Sequence, residues 1–340
     1  MLTILLVLPV GAQAATITAP TVPSSAAESM PETTDSFAGG LWELFQRAVD
    51  TLGPELKEAA KSSLSVVAAV LMTAILRMTI QGRENLVDLA AVGAVAAMLL
   101  ESTHSLIHLG METVQELSQY GKLLLPVLTA ALAAQGGVGT GTALYGGTAV
   151  FDAVLSSLIA RILSPMLCLF LALAVACGAL GEETLRKMRD MVKNFVSWCL
   201  KILLTVFTTY MSVTGVVSGT TDAAALKAAK VTISSVVPVV GGILSDASEA
   251  VLVSAGLMKN SAGIYGILAA MAVFLTPFLR IGTQYLVLKA TAAVCGMFGS
   301  KAVVDVIGDF STAMGLLLAM TGSVCLMLLI STVCFLKGVG

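Results

Sequence analysis

TAMGLLLAMTGSVCLMLLISTVCFL, residues 312–336, carries no charged side chain from end to end. A helix needs ~20 consecutive apolar residues to cross a hydrocarbon core of ~30 Å, so this run reads as a membrane span. Working outward from it, further segments of spanning character fall over 64–80, 86–109, 143–160, 163–181, 197–219, 262–279 and 281–298. Composition points the same way. Charged residues make up 12% of the 340 residues, about half the ~25% of soluble domains. Lipid must therefore replace water over much of the surface. A net charge of −2 with no long basic run argues against nucleic acid as a partner. The fold class that follows is all-α, a polytopic transmembrane helical bundle.

Two more stretches, 123–135 and 233–257, are apolar but short or interrupted by Pro and Gly. They read as broken or re-entrant helices, a form tolerated where backbone lines a cavity. The punctuation repeats. Pro126 and Pro165 are 39 residues apart, as are Pro238 and Pro277, and the two pairs are offset by 112. After a small insertion, Arg186, Asp190, Val192, Asn194 and Phe195 align with Lys301, Asp305, Ile307, Asp309 and Phe310 at an offset of 115. This predicts an internal duplication of about 112–115 residues, with repeat 1 over about 86–196, repeat 2 over about 197–311 and a closing helix at 312–336.

Residues 2–8 are an apolar core too short to span. Ala12-Gln13-Ala14 follows, so 1–14 reads as a signal peptide cut after Ala14. No Lys or Arg precedes the core. From Ala15 to about Asp35 the chain is a Pro-, Ser- and Thr-rich linker. Leu41, Phe45, Val49 and Leu52 then recur at helical spacing beside Trp42, until Gly53-Pro54 ends the run. Residues 15–63 are thus an exported linker with a juxtamembrane amphipathic helix, and 64–340 the transmembrane domain. With the mature N-terminus outside, span 64–80 runs inward to Arg77 and Arg83. The cationic cluster Arg186, Lys187, Arg189, Lys193 and Lys201 is then cytoplasmic, and the repeat is parallel rather than inverted.

Several clusters could carry chemistry. Glu101, His104, His108 and Glu112 share one helical face, which suits a metal or proton relay. A polar stripe at the end of a span explains them better, because no third conventional ligand is near. Gly136, Gly137, Gly139, Gly141, Gly146 and Gly147 crowd one stretch but lack the Lys of a phosphate loop, so a flexible turn accounts for them. Asp152, Arg161, Asp246, Glu249, Arg280 and Lys289 lie in or beside apolar segments, where charges face a polar interior or snorkel out. The six cysteines all sit in apolar runs without close pairing. No cofactor, metal site or catalytic constellation is expected, and the chain does not read as an enzyme. The candidate pore-lining or broken-helix residues are Pro126, Gly136, Gly137, Asp152, Pro238, Gly241, Gly242 and Asp246.

The runs PVVGGILSDA and LMKNSAGIYG within 233–266, with LLLPVLTAALAAQGG at 123–137 and VVDVIGDFS at 303–311, closely resemble the stage III sporulation protein AE family of endospore-forming bacteria. The resemblance covers about 40–340. It implies a polytopic, permease-like component of a complex in the mother-cell membrane around the engulfed forespore. Implied partners are other products of the stage III sporulation A operon, including a secretion-type ATPase and a ring-forming protein, and stage II sporulation protein Q. Together these are thought to form a channel that sustains forespore development and late forespore gene expression. The resemblance carries over no catalytic residues. The competing reading is a stand-alone secondary transporter, which the same repeat logic permits.

Overall fold

The computed structural model describes residues 23, 27, 30, 37–80, 84–134, 138–213 and 261–338. The signal peptide, most of the linker, Gly136, Gly137, Pro238, Gly241, Gly242, Asp246 and Glu249 lie outside the described residues.

The apolar runs fold as long helices: α1 (Phe37–Thr79), α2 (Glu84–Ala134), α3 (Val138–Leu158), α4 (Ser164–Leu180), α5 (Glu183–Val213), α6 (Ser261–Cys295) and α7 (Lys301–Gly338). A single π turn, Ile159–Leu163, joins α3 to α4 without a break. Counting that pair as one, six helices among the described residues are long and apolar enough to cross a membrane. The chain is a multi-pass membrane protein by this measure.

Several sequence boundaries dissolve. Gly53-Pro54 does not end a helix, since α1 runs through Pro54 to Thr79. The stretch beginning at residue 123 continues α2 through Pro126 to Ala134. Segments 143–160 and 163–181 form one rod around the π turn, and 262–279 with 281–298 lie largely on α6, which carries Pro277 inside it. At Pro165 and Pro277, which lie within apolar stretches, the cause is the same. An internal proline forfeits one backbone hydrogen bond, whereas breaking the helix would strand several polar groups away from water. Where a turn does form it has its own device. Gly181 adopts φ 68° and caps α4 by donating its N–H to the Cys177 carbonyl at 2.9 Å, a left-handed position that suits glycine.

With α3 and α4 taken as one rod, consecutive helices run antiparallel. Arg77–Asp88 (3.7 Å) pins α1 against α2, and Ser118–Asp152 (2.7 Å) pins α2 against α3. Tyr210 bonds the Ala143 carbonyl at 2.8 Å, and Phe207 meets Phe151 at 5.4 Å, setting α5 antiparallel to α3. Ser311 bonds the Tyr285 carbonyl across the α6–α7 hairpin at 3.1 Å. Thus α3–α4 and α6 share one direction, and α5 and α7 the other. A parallel repeat requires this arrangement, although the segment around Pro238 lies outside the described residues.

Helix α7 occupies the centre and is buried along nearly its whole length, from Val306 to Phe335. Its buried Ser323, Ser331 and Thr332 bond their own i−4 carbonyls, so no polar group there asks for water. Close approach comes from glycine: a Cβ on Gly178 of α4 would lie 2.3 Å from Val306, and one on Gly110 of α2 would lie 2.7 Å from Leu317. Small residues at contacts are how membrane helices pack without a hydrophobic drive between them.

Helix α2 has 51 residues, about 76 Å at ~1.5 Å per residue, so only part of it fits a bilayer. The α1–α2 hairpin divides by polarity at one level. Exposed Leu71, Met72, Ile75, Leu76, Leu86 and Leu89 lie toward its closed end. Beyond residue 63 on α1 and 100 on α2, charged side chains take over.

Candidate functional site

The described helices bring together one charged cluster that the candidate residues did not anticipate. Arg189 of α5 is held between two carboxylates. Its Nη1 donates to Asp309 Oδ2 at 2.7 Å, and its Nη2 donates to Asp190 Oδ1 at 2.9 Å. Arg189 and Asp309 are each only 14% exposed. One turn back, Arg186 pairs with Asp305 at 3.9 Å. Beside them lies a cavity of about 90 Å³ whose charged wall is Arg186, Arg189, Lys301, Asp305 and Asp309. Arg186, Asp190, Asp305 and Asp309 all belong to the two motifs that align at an offset of 115. The helices carrying the matched motifs thus pack side by side in parallel, α5 against α7, and are tied by charge. The signal was in the sequence: basic residues at 186 and 189 face acidic ones at 305 and 309, each pair at one-turn spacing on its helix.

The predicted residues are dispersed. Asp152 is half-buried on α3 and accepts the Ser118 hydroxyl at 2.7 Å. Lys122 lies one turn farther along α2 from Ser118. Pro126 is exposed, about two turns from Ser118, and the two residues do not meet in one site. Arg280 pairs with Glu55 of α1, and Lys289 stands 5.9 Å over the Tyr285 ring. Arg161 is exposed on the π turn.

Glu101, His104, His108 and Glu112 lie on an exposed face of α2. His108 Nδ1 approaches Glu112 at 3.3 Å, with both side chains more than half exposed. No group of three or more His, Cys, Asp or Glu among the described residues is arranged to hold a metal. The face continues instead through exposed Gln115, Gln119 and Lys122 to Pro126. From 101 to 122 it runs about 32 Å at ~1.5 Å per residue. It is a polar track, and the histidines are members of it.

Comparison with known proteins gives a consistent picture. A family profile described as Stage III sporulation protein AE matches residues 28–338. The chain is 26% identical over 235 residues to Stage III sporulation protein AE of Bacillus subtilis (strain 168). That match covers 69% of this chain and 59% of the relative, so the chain spans less than two thirds of it. No solved structure matches.

Proposed function

The chain belongs to the stage III sporulation protein AE family, and from that membership we propose that it is the multi-pass membrane subunit of a channel complex linking mother cell and forespore. In this reading it sits in the mother-cell membrane around the forespore and is required for forespore development and late forespore gene expression. Its partners are the other products of the stage III sporulation A operon, including the ATPase and the ring-forming protein, with stage II sporulation protein Q reaching across from the forespore.

The observation that carries the reading is the family match over nearly the whole chain. The polar track on α2 supports it, because Glu101, His104, His108, Glu112, Gln115, Gln119 and Lys122 are all exposed in the single chain. Such a surface suits an aqueous path or another subunit. Pro126 ends the same track, which agrees with a path-lining role for that segment. Because α7 fills the centre of the described helices, a path of this kind runs between chains rather than along the bundle axis.

The test is deletion of the gene in its spore-forming host, with a late forespore-specific reporter imaged after engulfment. Forespores that engulf, then shrink with a dark reporter, support the reading. Spores at normal frequency overturn it and return attention to a stand-alone transporter, tested by uptake with the purified protein.

A further inference from the structure

Helix α5 buries one face through Val192, Val196, Leu200 and Phe207. On the other face its exposed residues sort into two columns. At 100° per residue, Lys187, Asn194 and Lys201 align, spaced by seven. Beside them run Met191, Phe195, Trp198 and Ile202, which are 64%, 40%, 60% and 41% exposed. An open trough of about 610 Å³ lies along this boundary, lined by Lys187, Asp190, Met191, Asn194, Phe195 and Trp198. Among the described residues Lys201 forms no ion pair, and Lys187 meets only the exposed Glu183 at 3.0 Å.

We propose that this face of α5 is a binding surface for acidic phospholipid. The lipid phosphate takes hydrogen bonds from the Lys187 ammonium group and the Asn194 amide, and Lys201, about 21 Å from Lys187 along the helix at ~1.5 Å per residue, adds its positive charge to the same face. An acyl chain lies along Met191, Phe195, Trp198 and Ile202. The charge of the polar column names the occupant. A neutral lipid or an ordinary protein interface would need the apolar column but not lysines spaced along it. Basic residues beside an apolar strip are what attract anionic headgroups, and a Trp indole is at home at that boundary.

The chain has two tryptophans, so Trp42→Phe leaves Trp198 as the only reporter. The protein is reconstituted into bilayers in which a fixed minor fraction of lipid is brominated phosphatidylglycerol or, separately, brominated phosphatidylcholine. Each lysine near an anionic surface enriches the headgroup roughly fivefold. Trp198 is therefore quenched several-fold more effectively by the acidic lipid at equal mole fraction. Lys187→Gln with Lys201→Gln equalises the two. Salt near 1 M, where the screening length is about 3 Å, does the same in the chain that keeps both lysines, so the outcome does not depend on the variant folding. Equal quenching by both lipids at low salt overturns the proposal in favour of ordinary lipid contact. Absence of quenching by either overturns it in favour of a protein covering this face.

Discussion

Arg189→Met tests whether the charge cluster holds α5 and α7 together. Arg189 donates to Asp309 at 2.7 Å, and both side chains are 14% exposed. Removing the cation leaves Asp309 at depth with no guanidinium, while Asp190, at 52% exposed, recovers its solvation from water. Losing one partner of a buried pair costs about 3–5 kcal/mol. For a chain of this size each kcal/mol lowers Tm by roughly 2 °C, so the purified protein in detergent loses about 6–10 °C. The readout is survival of the monodisperse gel-filtration peak after heating. Arg189→Met combined with Asp309→Leu removes both charges, and an apolar replacement of a buried pair is often neutral or stabilising. The double variant therefore recovers most of the loss. Two results refute the reasoning: a single variant within about 2 °C of the parent, or a double variant no better than the single.

Further outcomes follow from packing. Gly178→Ala places a Cβ 2.3 Å from Val306 and costs about 1–3 kcal/mol by overpacking; Val306→Ala on top restores the melting temperature. Gly93→Ala meets nothing within 4 Å and gains about 0.5–1 kcal/mol, so the two alanine variants shift Tm in opposite directions. Ser118→Ala removes the donor to Asp152 and costs about 1–3 kcal/mol. Asp152→Asn, which still accepts from Ser118, costs less in the same melt.

The helical character of the chain was legible because an apolar run without charge has few other fates at this length. Helix ends were less so. Proline and glycine punctuation at 53–54, 126, 165 and 277 suggested breaks, yet each proline sits inside a continuous rod. Local propensity argues for a stop, and at 165 and 277, within apolar stretches, the burial of backbone polar groups overrides it. The cluster at Arg189 was half legible: the two motifs were aligned as repeats, but that α5 and α7 pack side by side is a tertiary fact. Hydropathy also gave no ranking of the helices. Helix α7, buried throughout, and the outermost α1 are both apolar enough to span. Small and hydroxylated residues mark the central one: Gly308, Gly315 and Gly322 with Ser323, Ser331 and Thr332. The outer one shows Leu71, Met72, Ile75 and Met78.

The exposed apolar surface is staggered, and the stagger carries a topological prediction. Arg189 is level with Asp309, and Gly110 with Leu317, so Trp198 of α5 stands near the height of residue 111 on α2. There α2 is polar, and apart from Leu123 its exposed large apolar residues, Leu86, Leu89, Met98 and Leu100, lie roughly 16–38 Å lower at ~1.5 Å per residue. An upright bundle cannot put both apolar surfaces in one flat slab. A tilted bundle can, and tilts up to about 40° are ordinary for membrane helices. Tilting also carries the polar halves of α1 and α2 out on one side and the charged start of α5 out on the other. The orientation expected from the Ala12-Gln13-Ala14 cleavage pattern puts the polar halves on the exported side and Lys187 on the cytoplasmic side. Single cysteines at Gln115, Leu89 and Lys187, placed in a background with the native cysteines replaced, separate the arrangements. In intact cells a membrane-impermeant maleimide labels position 115, position 187 reacts only after lysis, and position 89 stays unreactive. Labelling of 115 and 187 from the same side removes the tilted arrangement, because no single slab then divides them.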